Sequence, residues 1–313
     1  VRRLLTRNRA LAAGAVVAVV GVIAGLGAVS RSSPVTVAGP ATAGVPAEPW
    51  YWTLAVAPSD PRTLVLATSN GVFRSTDGGS TWAQTGLRGV NTTSLAEVGG
   101  TLFAAGVPGP VTIVRTAAGR TAPNGKGVVA ASTDEGATWR TVHPKGLPAT
   151  TVQSLATDPA GKTLYALLVS GALYRSTDGG RSFRLVTAKV GIAPWALAVA
   201  QGGELVSGDM DGGSHVSRSG TGWRPTPFTD SSGGRMVMEY AVQPGDPARV
   251  IMTSRGIALS TDAGRTWRLV LRSQVMFGPV AYAPSASSLA YAVGFDGSLW
   301  RSDDGGTSWT KVA

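Results

Sequence analysis

The chain of 313 residues contains no cysteine, which excludes disulfides, thiol nucleophiles and thiolate metal sites together. Histidine is nearly absent too: His143 and His215 are too few for a histidine-based zinc site. No metal and no cofactor is therefore expected. Only 15% of residues are charged, and no run of Lys and Arg interleaved with stacking aromatics occurs. The net charge of +10 divides into +4 over residues 1–49 and +6 scattered over the rest, whereas phosphate contacts need a concentrated basic face. Nucleic acid is not an expected partner. What the chain has in excess is glycine, 42 residues, alongside 43% hydrophobic residues, the mark of a packed protein rich in tight turns.

One long uncharged run follows directly on a cluster of arginines. Ala10 to Ser30 carries no charge and as a helix would span about 30 Å, the thickness of a bilayer core. Arg2, Arg3, Arg7 and Arg9 precede it, so the expected topology leaves residues 1–9 in the cytoplasm and the remainder outside. The segment is read as a retained single-pass anchor because it exceeds the usual signal core of about 7–15 residues. Small residues at Ala28 and Ser30 keep a cleaved signal peptide, and hence a secreted protein, as the alternative. Residues 31–49, with four prolines and no periodicity, read as an extended tether.

Residues 50–313 repeat themselves. STDGGSTW (75–82) returns as STDEGATW (132–139), STDGGRSF (176–183), STDAGRTW (260–267) and SDDGGTSW (302–309), with a shorter, Asp-less copy, SRSGTGW, at 217–223. Successive starts lie 57, 44, 41, 43 and 42 residues apart. A period near 42 is the length of one propeller blade, and the first interval leaves room for an insertion in the second unit, Gly106 to Gly127, which carries Arg115, Arg120, Asn124 and Lys126. Upstream of each octapeptide recur an apolar-Ala pair (Leu54-Ala55 through Val280-Ala281), a turn and a β-rich segment. Each unit thus supplies four strands. The expected fold is all-β, a six-bladed β-propeller over residues 50–313, closed between whole blades or with help from Val35 to Val37.

These octapeptides resemble the Asp-box, or BNR repeat, of sialidases, sortilin-type receptors, photosystem assembly factors and many exported bacterial propellers. The resemblance implies that the box joins the third and fourth strands of each blade on the face away from the ligand site. Asp77, Asp134, Asp178, Asp262 and Asp304 are accordingly read as hairpin staples, short acids that accept backbone N–H bonds while Gly supplies a positive φ.

The opposite face collects the entries to the inner strands. Trp50, Trp52, Trp195, Arg255 and Phe277 are the candidate ligand-binding residues there, able to stack on and hydrogen-bond a glycan, peptide or protein partner. The same aromatics equally suit a plug for the central channel. Resemblance to sialidases implies an enzyme with an Arg triad and a Tyr/Glu pair, but the first unit opens EPWYWTLAV and lacks the F/Y-R-x-P motif. The candidate catalytic residues are Glu239, Tyr51, Asp209, Asp211 and Asp296: Tyr51 by approach to Glu239 across the channel, the Asp residues as the second carboxylate that a glycoside hydrolase needs. A salt bridge from Glu239 to Arg235 or Arg255 is the structural alternative.

Overall fold

The computed structural model describes residues 41–109, 114–116, 119–121, 126–192, 194–209 and 212–312, with side chains for all but 114–116, 119–121 and 209. The expected cytoplasmic tail, the anchor at 10–30 and Val35 to Val37 lie outside the described residues. Among those described, no helix is long and apolar enough to cross a membrane.

The chain is an all-β propeller. Alternating strands separated by Gly-bearing turns close antiparallel sheets, and the only helical element described is the single turn Gln201–Gly203. The first unit pairs Tyr51–Val56, Leu64–Thr68, Gly71–Ser75 and Thr81–Gly86 in sequence order. Thr42–Ala43, from the expected tether, adds a fifth strand on its outer edge, Thr42 opposite Trp82. The second, third and fourth units each form a four-stranded sheet, with Val90–Val98, Val152–Thr157 and Ala196–Val199 as their first strands. In the insertion of the second unit, Val114–Thr116 pairs with Gly119–Thr121 as a separate hairpin.

The last two units differ from expectation. They share one six-stranded sheet, because Asp246–Ser260 and Arg268–Ala283 run unbroken through 15 and 16 residues. Arg255 still pairs with Met276, whereas Phe277 already pairs with Gly294 of the next strand, so Arg268–Ala283 serves both units. Gly256, at φ 103°, takes the register shift that lets the first of these strands turn without ending.

The octapeptides form one turn repeated almost atom for atom. Asp77 accepts hydrogen bonds from the Thr81 hydroxyl (2.6 Å), the Thr81 backbone N–H (2.9 Å) and the Ser75 hydroxyl (2.8 Å), while Ser75 Oγ accepts from Gly79 N–H (2.9 Å). Asp134, Asp178, Asp262 and Asp304 hold Thr138, Ser182, Thr266 and Ser308 in the same way. The Thr81 and Ser182 hydroxyls pull the Asp77 and Asp178 carboxyls down to about 2. Trp82 then returns its indole N–H to the Gly79 carbonyl at 2.9 Å and is buried. In the short copy no acid is present, and Ser217 Oγ donates to the Thr221 carbonyl at 2.5 Å instead.

The turns also register each unit on its neighbour. The second glycines Gly136, Gly180, Gly220, Gly264 and Gly306 lie against Val65, Phe103, Leu173, Val206 and Ile251, each belonging to the preceding unit. Gly79 of the first unit lies against Leu299 of the last, which closes the ring. A Cβ at Gly306 would stand 2.8 Å from Ile251, closer than carbon atoms pack. Between units the core is continuous: Leu54, Leu66 and Trp82 of the first cluster with Leu289, Tyr291 and Leu299 of the last.

Candidate functional site

The first strands of all units line one central cavity of about 210 Å³, walled by such residues as Leu54, Leu95, Leu155, Leu197 and Val280. The recurring apolar-Ala pair explains this wall, because a small residue is needed where several strands converge. Glu239 is the one acid among the described residues that line it.

At the entry end, aromatics from three units meet. Trp52 of the first unit reaches Trp195 of the fourth, ring centroids 5.5 Å apart and planes tilted by 46°. Trp50 stacks on Trp52 at 5.7 Å and 12°, and Phe295 of the last unit stands edge-on to Trp50 at 5.4 Å and 80°. Trp52 is buried and anchored by its indole N–H to Asn91 Oδ1 at 2.6 Å, whereas Trp50, Trp195 and Phe295 are half-buried. The result is an aromatic strip across the mouth whose centre is fixed and whose ends keep open ring surface.

Glu239 keeps some accessible surface, but this surface faces the narrow channel, and protein surrounds the carboxyl on all sides. Desolvation pushes it up to about 7, against the opposing hydrogen bonds from Tyr240 N–H (2.9 Å) and the Thr53 hydroxyl (3.3 Å). Neither Arg235 nor Arg255 forms an ion pair with it. Among the described residues its hydrogen-bond partners are neutral.

The remaining predicted residues do not join Glu239. Tyr51 is turned away by a register shift between Tyr51 and Thr53; it is buried beside Tyr291, and its hydroxyl donates to the Pro46 carbonyl at 2.6 Å. Burial raises its pKa. The expected approach of Tyr51 to Glu239 is therefore not made. Phe277, expected at the mouth, is wholly buried and packs edge-on against Trp300 at 5.7 Å. It offers a ligand no surface, because the shift between Phe277 and Val280 turns the ring into the sheet's core. Asp296 is used within its own turn, accepting from the Ser298 hydroxyl (2.5 Å) and N–H (3.1 Å). Burial raises its pKa, but these bonds outweigh that, and the carboxyl titrates below its ordinary value. Arg255 is half-buried, its backbone carbonyl accepting from Ser231 N–H. The side chains of Asp209 and Asp211 lie outside the described residues.

Two contributors went unnamed in the sequence reading: Asn91, which fixes Trp52, and Thr53, which bonds Glu239. The available signal was polarity. Thr53 and the stretch Asn91 to Ser94 are polar residues in first strands that are otherwise mostly apolar, and all are buried.

No family model matches the chain. A curated relative, a probable oligoxyloglucan-reducing end-specific xyloglucanase of Neosartorya fischeri, is 27% identical over 257 residues, which cover 76% of this chain and 26% of the relative. The chain thus spans about a quarter of that protein's length. Among solved structures, YCF48 bound to D1 peptide is 20% identical, covers 87% of this chain and 83% of its own, and superposes with a TM-score of 0.51. The GH74 xyloglucanase from Xanthomonas campestris is 16% identical, with 88% and 47% covered and a TM-score of 0.50. At these identities the likeness establishes the propeller fold.

Proposed function

We propose that the chain is a membrane-anchored, extracytoplasmic Asp-box propeller of six blades that binds a peptide or protein segment, or a glycan, along the aromatic strip at the channel mouth. The observation that carries this reading is the strip itself: half-buried aromatics from three units, held in place around the buried, hydrogen-bonded Trp52. Preorganised rings with open faces bind flat partners with little entropic cost. The count of six blades is supported by six turns that each rest on the preceding unit, the shared last sheet counted as two. Anchoring rests on the uncharged stretch behind four arginines. One structural relative, 83% of which is covered, is bound to a peptide, which favours an assembly-factor-like role over a catalytic one.

A second reading, a glycoside hydrolase, is favoured by one feature. A carboxyl held near 7 is suited to general acid catalysis. It needs a second carboxylate, and among the described side chains none approaches Glu239, since Asp296 is committed to Ser298.

The full chain in detergent, applied to peptide and glycan arrays and to a panel of xyloglucan oligosaccharides and sialosides, separates these readings. Binding on an array that Trp50→Ala and Trp195→Ala each weaken at least tenfold, with no turnover, is the expected result. Turnover abolished by Glu239→Gln would establish the hydrolase instead. Binding indifferent to both tryptophans would remove the aromatic strip as the site.

A further inference from the structure

At the opposite end of the ring, where the octapeptide turns lie, the seam between the first two units encloses a second cavity of about 240 Å³. This is below the roughly 300–1,000 Å³ of sites for drug-sized molecules and suits one long side chain. Its walls are apolar, formed by Val56, Ala57 and Val65 of the first unit and Leu102 of the second. Among the described residues, its only ionisable lining groups are Glu97 and Glu135, both of the second unit.

Both acids are held in position. Glu97 accepts from Gly100 N–H at 2.7 Å, and Glu135 accepts from the Ser59 N–H (3.0 Å) and hydroxyl (2.5 Å) across the seam. Arg74 also comes to this turn, but its Nε donates to the Glu135 backbone carbonyl at 3.0 Å. Among the described residues neither carboxylate has an ion-pair partner. Glu135 moreover adopts φ 55° at a position that is glycine in three sister turns, Gly78, Gly179 and Gly305, so a side chain is kept there against a backbone preference of order 1 kcal/mol.

A different seam shows what the chain does when it neutralises an acid itself. Between the fourth and fifth units, buried Glu204 is held by Arg265, in the turn of the fifth unit, and by Arg224. Between the first and second units two carboxylates border an apolar space, and among the described residues no side chain forms an ion pair with either, Arg74 being engaged by the Glu135 backbone carbonyl. In a protein of net charge +10, this is a local reversal of sign with a greasy floor. We propose that the cavity receives a lysine side chain of a protein partner, its butyl stem against Val56, Val65 and Leu102 and its ammonium between Glu97 and Glu135. An ammonium on a flexible aliphatic stem matches both the apolar walls and the paired acids.

Saturation-transfer NMR on the full chain in detergent tests this with N-acetyl-lysine methylamide as probe and N-acetyl-norleucine methylamide as its uncharged counterpart. The lysine probe is expected to show transfer strongest at its side-chain methylenes, at least tenfold above the norleucine probe. Glu97→Gln combined with Glu135→Gln should abolish that difference. Because Glu135 also ties the seam through Ser59, Ala55→Leu serves as a second variant: it fills the cavity, keeps both acids and should abolish transfer. Trp50→Ala should leave the signal unchanged, which separates this site from the aromatic mouth. Equal transfer to both probes, or a lysine signal that survives Ala55→Leu, overturns the proposal.

Discussion

Glu204 and Glu239 are both withdrawn from bulk water, and the molecule handles them in opposite ways. Glu204 closes a seam on the turn face and is given two guanidinium partners. Glu239 sits in the channel beneath the aromatic mouth with only Thr53 and a backbone N–H, and its carboxyl rises to about 7. A buried charge with dedicated partners is a stitch. One without them is a group whose charge the fold suppresses, the usual condition of a functional acid or of a tolerated fault in a channel.

The largest expected effect lies at the stitch. Arg265→Ala leaves Glu204 buried beside Arg224, which is mostly exposed and 3.5 Å away, and urea denaturation should report a loss of about 2–3 kcal/mol. A loss below about 0.5 kcal/mol would mean that Glu204 is solvated after all and that the contrast is false.

At Glu239 the same contrast is a matter of pH. The folded-state pKa is raised, so folding favours the protonated form, and the stability this confers is complete below the ordinary carboxyl value of 4.5 and lost as pH rises through about 7. Between those values wild type should lose roughly 2–3 kcal/mol more than Glu239→Gln. Parallel pH curves for the two proteins would show that the carboxyl is not desolvated.

The exposed staples should behave with the reverse sign. Asp77, held down to about 2, contributes above the ordinary value of 3.8, and its contribution fades as pH falls toward 2. Asp77→Ala should cost about 1–2 kcal/mol at neutral pH, read as a shift in thermal midpoint that vanishes in acid. The smallest effect concerns the mouth. Trp195→Ala opens the channel above Glu239, and carboxyl carbon NMR should show its pKa falling by about one unit or more toward 4.5. An unchanged value would mean that the strip does not keep water from Glu239.

Much of this architecture was legible in the sequence because it repeats. The octapeptide spelled out a turn in which Ser, Asp, the Thr or Ser four residues after the Asp, and Trp each have a hydrogen bond to make, and the apolar-Ala pair marked the strands that line the channel. Where the reading went astray, a register shift was responsible. Counting alternate residues along a regular strand points Tyr51 toward the channel and Phe277 toward the mouth, but one extra residue before Thr53 and again before Val280 inverts the alternation. Nothing in EPWYWTLAV announces such a shift. The merging of the last two sheets is hidden in the sequence for the same reason, since Arg268–Ala283 passes from the fifth unit into the sixth through a register shift and not through a break. The partnership of Glu204 with Arg265 spans 61 residues, and the repeat does not reveal it, because Arg181 holds the same position in the third turn and bonds only its own turn's Asp178 carbonyl among the described residues.

The contact of Gly79 with Leu299 has a mechanical consequence. Every other junction between consecutive units is crossed by the polypeptide itself, whereas among the described residues this one is held by packing. It acts as a clasp on a bracelet: under tension, heat or proteolysis the ring should part there first and peel open from both ends. Cross-linking across that junction should therefore slow unfolding more than cross-linking across any other.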